Sequence, residues 1–213
     1  IYTIFSKEQS NQEFLWFFGD FIYFVFLILF FNQIDGINGL ATITFIITLF
    51  FILVISFLVA EFAPIFVCLF IYMFFNLKGK IGIQGEAGSF FMGSLTFALS
   101  KNLFQDLELF YVIFSLGPVL IDIISTTLIR LAYKENLLEG HRNNLYQILV
   151  AKYKDHIRVS LGFGFIQTSM CLILSYFIDK LSNYILIMLM LGISGLMFVL
   201  FLFFNIKIQK KIF

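Results

Sequence analysis

Seven long apolar runs alternate with short polar stretches along this chain. The runs are 14–32, 40–58, 62–77, 88–104, 108–130, 158–178 and 184–205. A helix needs roughly 20 apolar residues to cross about 30 Å of hydrocarbon, so each run is read as a membrane helix. The third and fourth are short, and Pro64 and the small residues near Gly88 allow extension or re-entry there. Between the fifth and sixth runs, Leu145, Ile148, Leu149, Tyr153 and Ile157 fall at helical spacing, with Lys152, Lys154 and Asp155 mainly on the other side. That pattern predicts an amphipathic helix lying on the membrane surface. No internal repeat, low-complexity stretch or soluble domain interrupts the series. The expectation is an all-α fold: one integral-membrane domain over 1–213, a polytopic transmembrane bundle of about seven helices plus the amphipathic one.

Composition agrees. Of the 213 residues, 61% are hydrophobic and 13% charged, against about 45–50% and about 25% in soluble domains. With a net charge of +1, charge is informative only by position. The polar stretches 33–39, 78–87 and 131–157, their borders Arg130 and Arg158, and the tail after 205 hold eleven of the fourteen Lys and Arg. The remaining three are Lys7, Lys101 and Lys180. By the positive-inside rule the first set faces the cytoplasm. The start of the chain then lies outside, and with no signal sequence or initiator Met this implies further helices upstream. Cys68 and Cys171 both lie in apolar runs, lack metal-site spacing and are read as packing residues.

The cytoplasmic stretches are the chemically dressed ones. The first reads Asn32-Gln33-Ile34-Asp35-Gly36-Ile37-Asn38-Gly39. Its glycines allow tight turns and close approach of a ligand; the plainer reading is a turn in which Asp35 or Asn38 caps the next helix. The second, Lys78 to Ser89, places four glycines, Lys78, Lys80 and Glu86 before an apolar helix. Such a helix start suits an anion, and Glu86 a cation shared with it. Ser89 and Gly93, four apart, allow a neighbouring helix to come close. The fifth run carries Pro118 and Asp122. An acid about 12 Å below the boundary marks a functional site or a structural hydrogen bond beside the proline. The third stretch holds His141, Arg142, Asn144, Tyr146 and Gln147 just before the amphipathic helix, where phosphate is favoured. His156 is read as interfacial.

Taken in order, these motifs resemble the polyprenyl-phosphate N-acetylhexosamine-1-phosphate transferase family. The family pattern Asn-x-x-Asp-Gly-x-x-Gly-Leu-Ala is matched by Asn32 to Ala41, and Gly-Asp-x-Gly-Ser-x-x-x-Gly by Gly85, Glu86, Gly88, Ser89 and Gly93. The proline and buried acid are matched by Pro118 and Asp122. The His-Arg-x-His-x-Tyr-Gln form is matched by His141, Arg142, Asn144, Tyr146 and Gln147. Glu86 replaces the family's metal-binding aspartate and Asn144 its second histidine. The family's paired aspartates, from an earlier loop, have no counterpart here, so the match is to the later part of a member.

The resemblance implies a reaction: a UDP-N-acetylamino sugar and a polyprenyl (undecaprenyl) phosphate give polyprenyl-diphospho-sugar and UMP, at the cytoplasmic face of the inner membrane. It implies Mg²⁺ or Mn²⁺ held by Asn32, Asp35 and Glu86. Asp35 and Asp122 become the candidate catalytic acids. Gly36, Asn38, Lys80, His141, Arg142, Tyr146 and Gln147 become candidate substrate-binding residues. The expected partners are the nucleotide sugar, the lipid phosphate and the bilayer. No nucleic acid is expected, and a homodimer is left open. Two rival expectations are an inactive remnant of such a transferase and a transporter or flippase-like protein.

Overall fold

The computed structural model describes residues 2–79, 82, 84–103, 109–137, 139–178 and 180–212, with side chains from Trp16 to Asn205 except at 183. Among the described residues all regular structure is helical. The helices are α1 (Tyr2–Ile34), α2 (Leu40–Ile55), α3 (Ala63–Lys78), α4 (Gly85–Leu103), α5 (Leu109–Ser115), α6 (Gly117–Ala132), α7 (Leu145–Tyr153), α8 (His156–Phe177) and α9 (Asn183–Ile212). The all-α expectation holds.

The span count is smaller than the apolar pattern predicts. Among the described residues, Trp16–Ile34, His156–Phe177 and Tyr184–Asn205 are long and apolar enough to cross a membrane. A fourth crossing is available if α5 and α6, bent by 74° at their junction, act as one. The run 108–130, expected as a single helix, breaks at Leu116, ahead of Gly117 and Pro118. Proline lacks an N–H, and its ring collides with the carbonyl four residues back. α2 and α3 have 16 residues each, about 24 Å at 1.5 Å per residue, short of the hydrocarbon thickness.

The bundle is held by close pairings of α1 with α4, α2 with α8, and α6 with α9. Gly93 sets the first. A Cβ there would fall 2.7 Å from the Cα of Ile28 and 2.8 Å from its nitrogen, so the two backbones touch. This is the close approach predicted from Ser89 and Gly93. We expect Gly93→Ala to part α1 from α4 and cost about 1–3 kcal/mol, read as a lowered unfolding midpoint in detergent.

Leu27, Phe31, Leu40, Phe45, Leu49 and Leu116 form the sealed centre, with Phe31 edge-on to Phe45 at 5.7 Å. The outer faces remain apolar: Phe165, Leu172, Met188, Leu191 and Leu196 are all more than 60% exposed. Apolar patches of this extent are rare on soluble monomers and fit contact with lipid. Both cysteines are free thiols, Cys171 buried and Cys68 exposed.

α7 is shorter than the amphipathic segment expected over 145–157. It ends at Tyr153, and Lys154 takes the left-handed conformation that turns the chain into α8. Leu145, Tyr146 and Ile148 are buried against the bundle, while Tyr153 and Ile157 stay exposed. The helix therefore docks on the end of the bundle through its first turn.

Candidate functional site

The polar stretches at 32–39, 76–86 and 141–147 meet at one end of the bundle. The turn between α1 and α2 is the hub. Gly39 caps α2 in the left-handed region at φ +86°, where L side chains are strained. A Cβ there would also fall 2.2 Å from Leu77 Cδ2. The Gly39 N–H donates to Asn76 Oδ1 at 2.8 Å, and the Thr42 hydroxyl donates to the same oxygen at 3.1 Å. The Asn76 amide in turn donates to the Gly82 carbonyl. One buried asparagine thus joins the start of α2 to the glycine-rich stretch before α4, and Asn38 lays its side-chain amide over Gly79.

Neither Asp35 nor Asn38 supplies the cap for α2 that local sequence suggested; Asn76 accepts its first N–H instead. Asp35 reaches across to α4, with its carboxylate near the N–H of Gly85, the first residue of that helix. Glu86 follows immediately and is exposed. Two carboxylates therefore stand at one helix start, with Asn32 exposed in the last turn of α1 one turn before Asp35. Partial burial raises the Asp35 pKa above the ordinary aspartate value, and the nearby Gly85 N–H offsets part of the rise. Tyr72 of α3 lies close enough to feel the Asp35 charge.

The third stretch closes over the same turn. A Cβ on Gly36 would fall 2.8 Å from Gln147 Nε2, so any larger residue there would push the Gln147 amide aside. Tyr146 is fully buried. Its hydroxyl donates to the Gln33 carbonyl at 3.1 Å and accepts from Asn144 Nδ2 at 2.8 Å. Burial raises its pKa, so the phenol stays protonated. Tyr146 shapes the site from beneath and does not reach solvent.

Asp122 is likewise sealed, with no exposed surface. Its two carboxylate oxygens accept the N–H groups of Leu145 at 2.8 Å and Tyr146 at 3.1 Å. Both N–H groups belong to the first turn of α7, where an anion is favoured. The Thr126 hydroxyl donates to Asp122 Oδ1 at 3.5 Å and accepts from Asn205 Nδ2 at 3.3 Å. Expected either as a chemical group or as a structural hydrogen bond beside Pro118, Asp122 ties α6 to the first turn of α7 through its carboxylate.

His141 and Arg142 lie beside this helix start, with Arg142 exposed. The His141 Nδ1 accepts the Asn143 N–H at 3.2 Å, which leaves its proton on Nε2. Burial lowers its pKa, the charge of Arg130 lowers it further, and Glu135 opposes them. His141 is thus a neutral donor at pH 7, and the positive charge is Arg142's. Arg130 is buried and braces the loop: it bonds Glu135 Oε2 at 2.9 Å and the carbonyls of Asn136 and Glu139 at 2.6 and 3.2 Å. Lys80 lies outside the described residues.

A mostly apolar cleft of about 540 Å³ runs between α3 and α4, and its lining includes Tyr72, Gln84 and Gly88 at the end next to Asp35 and Gly85. Among the described residues no group of three or more His, Cys, Asp or Glu gathers as a self-sufficient cage for a metal. The donors present, two carboxylates and an amide, suit a hard cation that completes its shell with phosphate oxygens and water.

Sequence reasoning missed Asn76, Arg130 and Asn205. Asn76 and Asn205 sit near helix ends in apolar runs and carry no local motif. Arg130 was visible only as a topological charge. Comparisons of the chain with protein-family models, curated proteins and solved structures give no match.

Proposed function

We propose that this end of the bundle transfers an N-acetylamino-sugar 1-phosphate from a UDP-sugar to a polyprenyl phosphate, releasing UMP. The observation that carries the reading is the meeting of the Asp35 turn with the glycine-rich stretch before α4, joined through Asn76, with Gln147 lying against Gly36 of the same turn. In the reaction, an oxygen of the lipid phosphate attacks the sugar-linked phosphorus, and the bond from that phosphorus to the UMP oxygen breaks. A Mg²⁺ or Mn²⁺ ion, when bound, neutralises charge on the diphosphate and eases departure of UMP.

The chain's residues supply position and charge. Asp35, Glu86 and Asn32 hold the cation against the diphosphate. Arg142 grips phosphate oxygens through two parallel N–H bonds, and His141 donates Nε2–H to another. Gln147 lies over Gly36 and faces the sugar or uridine side, while Asn38 borders it. Asp122 and Tyr146 act through these groups, as positioning residues. The lipid tail runs down the cleft between α3 and α4. On this reading the shorter helices complete a seven-pass bundle in the inner membrane, with the site at the cytoplasmic face, where the eleven basic residues concentrate.

The experiment is UMP release from UDP-N-acetylglucosamine, or a related UDP-amino sugar, by membranes carrying the full-length protein and supplied with polyprenyl phosphate and Mg²⁺. Wild type is expected to release UMP, and Glu86→Gln to lose roughly 10–100-fold. Undiminished release by Glu86→Gln would remove Glu86 from the site. Absence of release from every UDP-amino sugar by the wild type would remove the reaction.

A further inference from the structure

The backbone of the Asp35 turn is gripped from a fourth direction, by the first turn of α8. The Asn38 N–H donates to His156 Nδ1 at 3.2 Å. The Ser160 hydroxyl donates to the Asn38 carbonyl at 2.8 Å. His156 and Ser160 are four residues apart on one helix, so both fall on the same face. Together they take both main-chain polar groups of one residue in the turn. No motif in the sequence marks either residue.

We infer that His156 and Ser160 form a clamp that fixes the Asp35 turn, and are positioning residues for the proposed reaction. The inference deepens that reading and rests on it for the effect on turnover. Asn38 lies three residues after Asp35 and two after Gly36, where Gln147 packs. The other tether near it is the Gly39 N–H on Asn76. With the clamp removed, the segment from Gly36 to Asn38 keeps the Tyr146 bond at Gln33 on one side and Asn76 on the other. The Asn38 peptide then loses both of its main-chain partners on α8, and the turn that carries Asp35 is held less firmly. Misplacement of a reacting group by about 1 Å can cost 10²-fold. The clamp requires an acceptor at the δ position of residue 156. Asparagine offers an oxygen close to where Nδ1 sits, whereas leucine fills the space with no acceptor.

The test uses two readouts on the full-length protein in detergent: amide hydrogen exchange over residues 33–41, and UMP release. His156→Leu is expected to speed exchange of the Asn38 amide about 5–10-fold, the range set by loss of one hydrogen bond. It should lower kcat at least tenfold while leaving KM for the UDP-sugar within about threefold. His156→Asn should restore both, and Ser160→Ala should give a smaller loss in the same direction. Unchanged exchange in His156→Leu, or a His156→Asn variant as impaired as His156→Leu, would overturn the clamp. If wild type releases no UMP, the transfer reading fails, and the clamp is judged on exchange alone.

Discussion

Asp35→Asn is expected to abolish UMP release, by about 10²-fold or more, while leaving the folded protein at least as stable near neutral pH. The two halves have one cause. The carboxylate is half-buried, and burial raises its pKa above the ordinary aspartate value. The folded chain therefore binds this proton more tightly than the unfolded chain does. Between the ordinary value and the raised one, stability falls as pH rises, because folding above that window places a partly desolvated charge. Asparagine carries no charge, so this penalty disappears, while its Oδ1 stays near the Gly85 N–H. Activity follows the opposite sign: it requires the carboxylate and should fall as pH drops and Asp35 takes up a proton. Assaying UMP release and the unfolding midpoint of both proteins across pH checks the pair. A variant that lost activity only because it unfolded would contradict the assignment.

Asp122→Ala is expected to produce the largest loss of stability. Both carboxylate oxygens accept N–H groups in the first turn of α7. With alanine those donors stay buried and unpaired, at about 1–3 kcal/mol each. The Thr126 hydroxyl loses a partner too. The expected cost is about 3–5 kcal/mol, read as a lowered denaturation midpoint in detergent. Asp122→Asn should fall between, because one amide oxygen can accept while the amide nitrogen faces a donor. Since α7 carries Tyr146 and Gln147 onto the Asp35 turn, activity should fall with stability. A variant stable but inactive would instead place Asp122 in the chemistry.

The sequence was most legible where one residue type has one physical use. Gly93 predicted a close helix approach, and it lies against the backbone of Ile28. Apolar runs predicted helices, and helices formed there. Length was less legible. The run 108–130 has the residues for one crossing, but Gly117 and Pro118 divide it into two helices at 74°. The polar stretches around Asp35 and Gln147 lie at one end of the bundle, yet which side chain bonds which backbone group was hidden. Asp35 could as well have capped α2; only the fold shows that Asn76, thirty-seven residues after Gly39, accepts the Gly39 N–H at the start of α2. Pairings of that separation leave no periodic trace.

The transporter alternative called for polar side chains lining a path at mid-depth. Buried polar residues do occur there: Gln167 bonds the Thr44 carbonyl and the Thr48 hydroxyl, both at 3.1 Å, and Ser115 bonds Thr48 at 3.4 Å. All four residues are essentially without exposed surface. They tie α2, α5 and α8 together at a packed contact, which favours a structural role over a path.

The central claim, one cation shared between two carboxylates and a diphosphate, has a direct measurement. Mn²⁺ binding is followed by electron paramagnetic resonance on the purified full-length protein, with and without UDP. The account predicts that UDP tightens Mn²⁺ binding to the wild type and that Asp35→Asn removes this gain. Equal Mn²⁺ binding by Asp35→Asn and wild type in the presence of UDP would contradict it.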